Sequence, residues 1–314
     1  MNEMKLLIAY DGSECASLAL DDLRNAGLPS DVDATILSIA DRIGLSAGIA
    51  DIDPELPDWL ARSIERAHSE RLLAVDRMHA RALAAAERLR REFPGWTVQG
   101  EAHADSPGWG IVKRAGELRP DLIVLGSHGH SAVGRLFLGS VSLKVLHAAP
   151  CSVRIARARP REPRDPLRIL LGVDGSSHSL AAAHAVESRH WPRGTVVRVV
   201  SVLDALMSTA VVSGYFNIRE WAQQATENET WVHSMASGVT AALRESGLEV
   251  EALVLPGDPK WVLVEQAAQW MADCIFLGSQ GLNAVERLVL GSVSSAVASR
   301  AACSVEVIRS GGRT

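Results

Sequence analysis

One spacing of glycines occurs twice in this chain and restricts its fold more than any other feature. Gly126-Ser127-His128-Gly129, nine residues and then Gly139-Ser140 return as Gly278-Ser279-Gln280-Gly281, nine residues and Gly291-Ser292. Each copy follows a short apolar run of strand character, Leu122 to Leu125 and Cys274 to Leu277, and each ends where a helical pattern begins. Glycines let a backbone turn tightly and approach a ligand closely. A Gly-Ser pair at a helix start offers unpaired N–H groups, a hydroxyl and the positive end of the helix dipole to an anion. This is the layout of a phosphate cradle, and two copies imply two nucleotide sites.

The surrounding sequence repeats as well. Lys5 to Ser13 answers Arg168 to Ser176 at an offset of 163, from Asp11 to Asp174, whereas the glycine segments are offset by 152, from Gly126 to Gly278. The first copy therefore carries 11 more residues between these anchors, 163 less 152. Ala149-Pro150-Cys151-Ser152-Val153 pairs with Ala301-Ala302-Cys303-Ser304-Val305 at the second offset, so each unit is a complete domain. The expected division is 1–156, a linker 157–166, and 167–314. A chain of 314 residues at 47% hydrophobic is long enough for two separate cores.

Periodicity in the first unit predicts strands at Leu6 to Tyr10, Ala34 to Ala40, Thr97 to Ala102, Leu122 to Leu125 and Ser152 to Ile155. Helices alternate with them: one capped by Ser13 and running to about Asn25, a long one from Asp58 to Arg91, one from Ser106-Pro107 to before Pro120, and one from Ser140. The second unit has strands at Ile169 to Val173, Val196 to Val202, Glu249 to Leu255, Cys274 to Leu277 and Ser304 to Ile308. Its helices fall at Ser177 to Arg189, Ile218 to Glu245, Pro259 to Met271 and Ser292 to Arg300. The fold class is α/β, two tandem doubly wound, five-stranded parallel sheets with ligands at the carboxyl ends of the strands. There the Asp11-Gly12-Ser13 turn and the Gly126 loop face one ligand.

A net charge of -5 leaves no nucleic-acid footprint. The run Arg154, Arg157, Arg159, Arg161, Arg164 and Arg168 is interrupted by Pro160, Pro163 and Pro166 and reads as a solvated linker. No apolar run approaches the roughly 20 residues of a membrane span, and Met1 to Ala9 lacks the regions of a signal peptide. The expectation is a soluble, cytoplasmic protein with no membrane partner. Cys15, Cys151, Cys274 and Cys303 show no C-x-x-C pairing and no metal-ligand spacing, which suits buried thiols in a reducing compartment.

The G-x-x-G-x9-G-[ST] signature, the Asp after the first strand and the strand-helix order resemble the universal stress protein family, twice over and across nearly the whole chain. The resemblance implies a Rossmann-like, adenine nucleotide alpha hydrolase-like fold with strand order 3-2-1-4-5. It also implies ATP, with or without magnesium, as ligand. Carried over position by position, it places Ala9, Asp11, Ile39, Gly126, Gly129, Gly139, Ser140, Val141 and Ser142 around a first nucleotide. Around a second it places Gly172 or Val173, Asp174, Val202, Gly278, Gly281, Gly291, Ser292, Val293 and Ser294. The glycine signatures would hold phosphates and ribose, Asp11 and Asp174 would accept from ribose or adenine, and Ile39 and Val202 would pack on the base. The bland alternative for all of them is turn glycines and helix caps.

His128 and His130 have Gln280 and Leu282 as counterparts, which argues against an obligatory catalytic base; His128 is read as a polar contact to phosphate or to a neighbouring subunit. Arg135 and Arg287 sit on the nine-residue stretches and are read as solvated loop charges, with contact to phosphate as the alternative. Trp109 and Trp261 are equivalent and are read as packing residues. There is no G-x-x-x-x-G-K-[ST], no kinase signature set and no nucleophile elbow, so the sequence favours binding over turnover. The expected function is an adenine-nucleotide-binding stress and signalling module, against a non-nucleotide scaffold of the same family or a slow ATPase.

Family homodimers pair the fifth strands of two chains, so the two units are expected to form an intramolecular pseudo-twofold pair. The segment Asp58 to Arg91, 34 residues, is longer than one sheet needs. Either it projects and joins a second chain in a homodimer, or it breaks near its middle and folds back.

Overall fold

A computed structural model of the chain describes residues 3–41, 57–129, 138–158, 166–204, 218–281 and 290–309. The strands of the first unit are β1 (Met4–Ala9), β2 (Val32–Asp41), β3 (Thr97–Asp105), β4 (Leu122–Gly126) and β5 (Ser152–Ala156). Those of the second are β6 (Arg168–Gly172), β7 (Val196–Asp204), β8 (Glu249–Gly257), β9 (Cys274–Gly278) and β10 (Ser304–Ile308). The helices are α1 (Glu14–Asp22), α2 (Asp58–Glu92), α3 (Pro107–Leu118) and α4 (Ser140–Ala148), then α5 (Ser177–Glu187), α6 (Ile218–Glu245), α7 (Pro259–Gln269) and α8 (Ser292–Arg300).

The central strands β4 and β9 are buried along their whole length. Continuous apolar runs of this kind belong to parallel strands covered by helices on both faces. The strand order is β3-β2-β1-β4-β5-β10-β9-β6-β7-β8. Each half keeps the expected order 3-2-1-4-5, and the two five-stranded sheets join through the expected pairing of their fifth strands into one sheet of ten strands. The halves meet where β5 and β10 pair antiparallel, with Ile155 opposite Val305, Arg154 opposite Glu306 and Val153 opposite Val307. This pairing satisfies the backbone groups of two apolar edges that would otherwise be exposed.

The two faces of the sheet treat this seam differently. On the face of α3, α4, α7 and α8 one apolar core runs through both halves, from Leu7, Ile123 and Val145 to Leu170, Ile275 and Val297. On the other face α1 and α2 cover one core and α5 and α6 a second, separate one. Between those two cores lies a buried polar cluster of Asp22, Arg154, Arg189 and Glu306. Arg154, read above as the start of a solvated linker, is 0% exposed and belongs to β5. Beyond it, Arg157 donates to the carbonyls of Ala298 and Cys303, at the C-terminal end of α8 and just past it. Its equivalent, Arg309, donates to the carbonyls of Leu146 and His147 at the end of α4. Each arginine therefore closes the helix of the opposite half. Arg159, Arg161 and Arg164 lie outside the described residues.

Helix α2 is a single unbroken helix of 35 residues, which sets aside the fold-back. No Gly or Pro occurs between Asp58 and Glu92 to interrupt it. Its buried side chains, Ala82, Ala85, Ala86 and Leu89, all lie in the C-terminal part, against β2 and β3. Toward the N-terminus Trp59, Leu72 and Leu73 are exposed. The four cysteines are free thiols. Burial pushes Cys151 and Cys303 up to about 12 and raises Cys274 further still, so these three stay protonated.

Candidate functional site

The carboxyl ends of β1 and β4 form the first site. After Ala9 the chain turns through Asp11 and Gly12, whose φ of 81° lies in the left-handed region that glycine tolerates. Asp11 Oδ1 accepts from the Ser13 amide at 2.9 Å, and Ser13 Oγ in turn caps α1 by accepting from the Ala16 amide at 3.2 Å. The second unit repeats this atom for atom: Gly175 has φ 81°, Asp174 Oδ1 accepts from Ser176 N at 3.0 Å, and Ser176 Oγ accepts from Ser179 N at 3.2 Å.

The glycine loops come to these turns from the neighbouring strand. A Cβ on Gly129 would lie 2.9 Å from Asp11 Oδ2, and one on Gly281 would lie 2.8 Å from Asp174 Oδ2. The strand-one aspartate and the second glycine of the signature are thus in contact in both halves. Gly126 and Gly278 leave no room for a Cβ at the strand ends. A Cβ there would sit 2.6 Å from the backbone of Cys15 or 2.5 Å from that of His178, so these glycines admit the first turns of α1 and α5 against the strand ends.

The loops return to helices α4 and α8 through paired hydrogen bonds. Gly139 N donates to Ser127 O at 2.8 Å and Gly291 N donates to Ser279 O at 2.7 Å. Ser142 Oγ donates to Gly126 O at 2.8 Å and Ser294 Oγ donates to Gly278 O at 2.6 Å. Ser142 and Ser294 are buried, and their hydroxyls tie the helix to the strand end, whereas Ser140 and Ser292 are exposed. Because the N-cap positions are Gly139 and Gly291, no side chain caps either helix. Helices α1 and α5 have their first turn closed by a serine; among the described residues no N-cap side chain closes the first turn of α4 or α8.

Around this cradle Ile39, two residues before the end of β2, is buried, with its Cδ1 3.0 Å from where a Cβ on Gly110 of α3 would be; Val202 is half-buried against the same core. Val173 is buried, and a Cβ on Gly172 would meet Leu277 at 2.5 Å. Val141 and Val293 are half-buried against the shared core. His128 places Nδ1 2.9 Å from Ser127 Oγ, while its Nε2 is buried without a hydrogen-bond partner. Burial, and then the charge of Arg157, lower its pKa, so the ring is neutral near pH 7. Gln280, its counterpart, is buried and its carbonyl accepts from Ser176 Oγ at 3.2 Å.

Sequence reasoning missed two residues that lean on the turns from the long helices. Arg81 of α2 donates to Asp11 O at 3.0 Å and lies along Gly12, and Trp231 of α6 has its ring 2.4 Å from where a Cβ on Gly175 would be. No repeat signal marks them, because the long helices are where the two copies differ most. Trp109 and Trp261 are not core residues: they are 55% and 59% exposed, with Lys144 and Arg300 over their rings. His130, Arg135, Leu282 and Arg287 lie outside the described residues. Among the described residues no helix is long and apolar enough to cross a membrane, and no group of three His, Cys, Asp or Glu could hold a metal ion.

A family model described as "Universal stress protein family" matches residues 4–157 and again 167–309. The chain belongs to the universal stress protein family. A universal stress protein from Mycolicibacterium smegmatis is 29% identical over 220 residues, covering 69% of this chain and 71% of that protein. A universal stress protein from Thermus aquaticus is 31% identical over 141 residues, 45% of this chain and 97% of its own length. Its 97% coverage against 45% here shows that one such protein corresponds to about half of this chain. Among solved structures, a universal stress protein from Archaeoglobus fulgidus superposes with a TM-score of 0.62 at 21% identity, covering 99% of this chain and 100% of that one. At that identity the likeness establishes the tandem fold.

Proposed function

We propose that this universal stress protein binds an adenine nucleotide, ATP with or without magnesium, in each half and acts as a stress-response and signalling module that binds rather than turns over its ligand. The observation that carries the reading is the pair of uncapped helix starts, Gly139-Ser140 and Gly291-Ser292, each held by its loop beside an aspartate turn. Phosphate oxygens would accept from the open N–H groups and from Ser140 and Ser292, while Gly129 and Gly281 leave room for the chain of phosphates. Asp11 and Asp174 would face the ribose or adenine, with Ile39 and Val202 beside the base. These residues suit the ligand because an anion would complete helix starts at which the N-cap glycines have no side chain to offer.

Calorimetry with ATP, ADP and AMP, with magnesium and with a chelator, tests this reading, together with mass spectrometry of any nucleotide released on denaturing fresh protein. Two sites per chain are expected; no binding at millimolar nucleotide overturns it and favours the scaffold. A turnover assay on the same sample separates binding from slow ATP hydrolysis. The projecting part of α2, with Trp59, Leu72 and Leu73 exposed, favours a homodimer of chains. Light scattering at micromolar concentration that reports 33.6 kDa excludes it.

A further inference from the structure

The seam between β5 and β10 has a symmetric frame and an asymmetric centre. The frame repeats by the 152-residue offset. Arg157 N donates to Ser304 Oγ at 3.0 Å and Arg309 N donates to Ser152 Oγ at 3.2 Å, and each of these arginines closes the opposite half's helix. Two identical halves could build this frame equally well. The centre they could not build.

Positions 154 and 306 are equivalent by the same offset and lie directly opposite one another in the antiparallel ladder. One is Arg and the other Glu, both 0% exposed, with Arg154 Nη1 3.0 Å from Glu306 Oε2. Each charge also has a partner in its own half: Asp22 Oδ2 accepts from Arg154 Nε at 2.6 Å, and Arg189 Nη1 donates to Glu306 Oε2 at 2.9 Å. The contacts across the seam depend on which half is opposite: besides Arg154 with Glu306, Ser304 Oγ donates to Asp22 Oδ1 at 3.0 Å. Arg189 also crosses, donating to Ala26 O at 2.8 Å.

Shape breaks the symmetry a second time. The 163-residue offset holds on both sides of the loop after α1, since Leu6 pairs with Ala34 as Ile169 pairs with Val197. Gly27 is thus the counterpart of His190, and the two meet through His190 N to Gly27 O at 2.9 Å. Trp191 of the second half lies where a Cβ on Gly27 would be, 2.7 Å from its Cε3 atom, and Gly27 itself has φ 62°. Trp191 is held edge-on against Phe276, with the Arg189 guanidinium over both rings.

We propose that this seam is a recognition surface coded by charge and by shape, so that each half accepts the unlike half and rejects its own kind. Pairing two first halves would set Arg154 against Arg154 inside a buried ladder and put Leu28, the smaller counterpart of Trp191, at the hollow beside Gly27. Pairing two second halves would set Glu306 against Glu306 and drive Trp191 onto His190 in place of glycine. Like charges opposite one another in a sheet and overfilled contacts both destabilise, and burial enlarges the charge penalty. The fitting partner is accordingly the opposite half of this chain or of a second copy.

The test uses the full chain with a protease site placed within residues 159–165. The protein is cleaved after folding, and isotope-labelled and unlabelled samples are mixed and read by native mass spectrometry. The expected species are pairs of one first and one second half, including label-exchanged pairs. Pairs of like halves at statistical proportion, or separate single halves only, overturn the proposal. The triple variant Arg154→Met, Glu306→Met, Trp191→Leu is expected to raise the like-paired fraction at least about tenfold. Should that variant not fold, Glu306→Gln alone is expected to raise it by a smaller factor. A like-paired fraction that stays at the wild-type level in a folded variant overturns the code.

Discussion

The two cradles and the seam between them obey opposite rules. At the cradles the halves agree almost atom for atom, from the Asp11 and Asp174 turns to the Ser142 and Ser294 ties. At the centre of the seam they differ at three positions, Arg154 against Glu306, Ala26 against Arg189, Gly27 against His190. What is shared at the cradles is backbone geometry, which any phosphate-bearing ligand needs in the same form. What differs at the seam is side chains, which decide which surface a half will accept. The duplication is preserved at the proposed ligand cradles and lost at the centre of the seam.

The largest expected effect breaks the seam. Arg154→Met strips Asp22 and Glu306 of a fully buried cation, and removing one partner of such a cluster costs about 3–5 kcal/mol. Burial alone would lower the Arg154 pKa, but Asp22, Cys274 and Glu306 together hold it well above its ordinary value, so the charge is present at every usable pH. Denaturant unfolding measures the loss. A change under about 1 kcal/mol would mean that the cluster contributes no more than an exposed ion pair.

Next in size is the cradle itself. Gly129→Val and Gly281→Val each place a branched side chain against the facing aspartate and in the space proposed for phosphate. Each is expected to weaken one of two nucleotide sites by more than about tenfold, about 1.4 kcal/mol, while circular dichroism stays native. Unchanged calorimetric affinity in the double variant would reduce both loops to turns.

Smaller still, Ser13→Ala and Ser176→Ala remove the caps of α1 and α5 and should each cost about 1 kcal/mol. Equal losses in thermal unfolding express the symmetry of the cradles; unequal ones would show that one half carries the turn by other means. The smallest effect distinguishes the cradles from each other. The native pKa of His128 is lowered below its ordinary value of about 6.5, first by burial and then by Arg157. The unfolded chain therefore binds a proton in a window just below that value where the native one does not. Stability attributable to His128 is complete above about 6.5 and declines as pH falls through the window. His128→Gln, which copies Gln280, removes this slope, and an NMR titration of the ring that gives a pKa above 6.5 would contradict its sign.

Much of the fold was legible because each unit annotates the other. Helices Ser292–Arg300 and Ile218–Glu245 and strand Ser304–Ile308 have the bounds their periodicity predicts. Strands β2 and β3 run further than their apolar patterns, to Asp41 opposite Asp105, because ladder pairing continues through polar residues. The cradle glycines and aspartates were legible from spacing, and the structure brings them into contact. Arg154 was not, since in sequence it opens a proline-interrupted basic run, and the Glu306 that neutralises it lies 152 positions away. Arg81 and Trp231 were hidden for a related reason: a residue that leans on a turn from a distant helix leaves no periodic mark.

The crossed arginines give α4 and α8 a further property. Each helix points its positive end at a cradle in its own half and its negative end at a guanidinium supplied by the other, Arg309 for α4 and Arg157 for α8. A helix dipole amounts to about half an elementary charge at each end. Each helix is therefore framed by both halves at once, the proposed anion seat at one pole and a borrowed cation at the other. Neither helix is electrically complete within its own half of the chain.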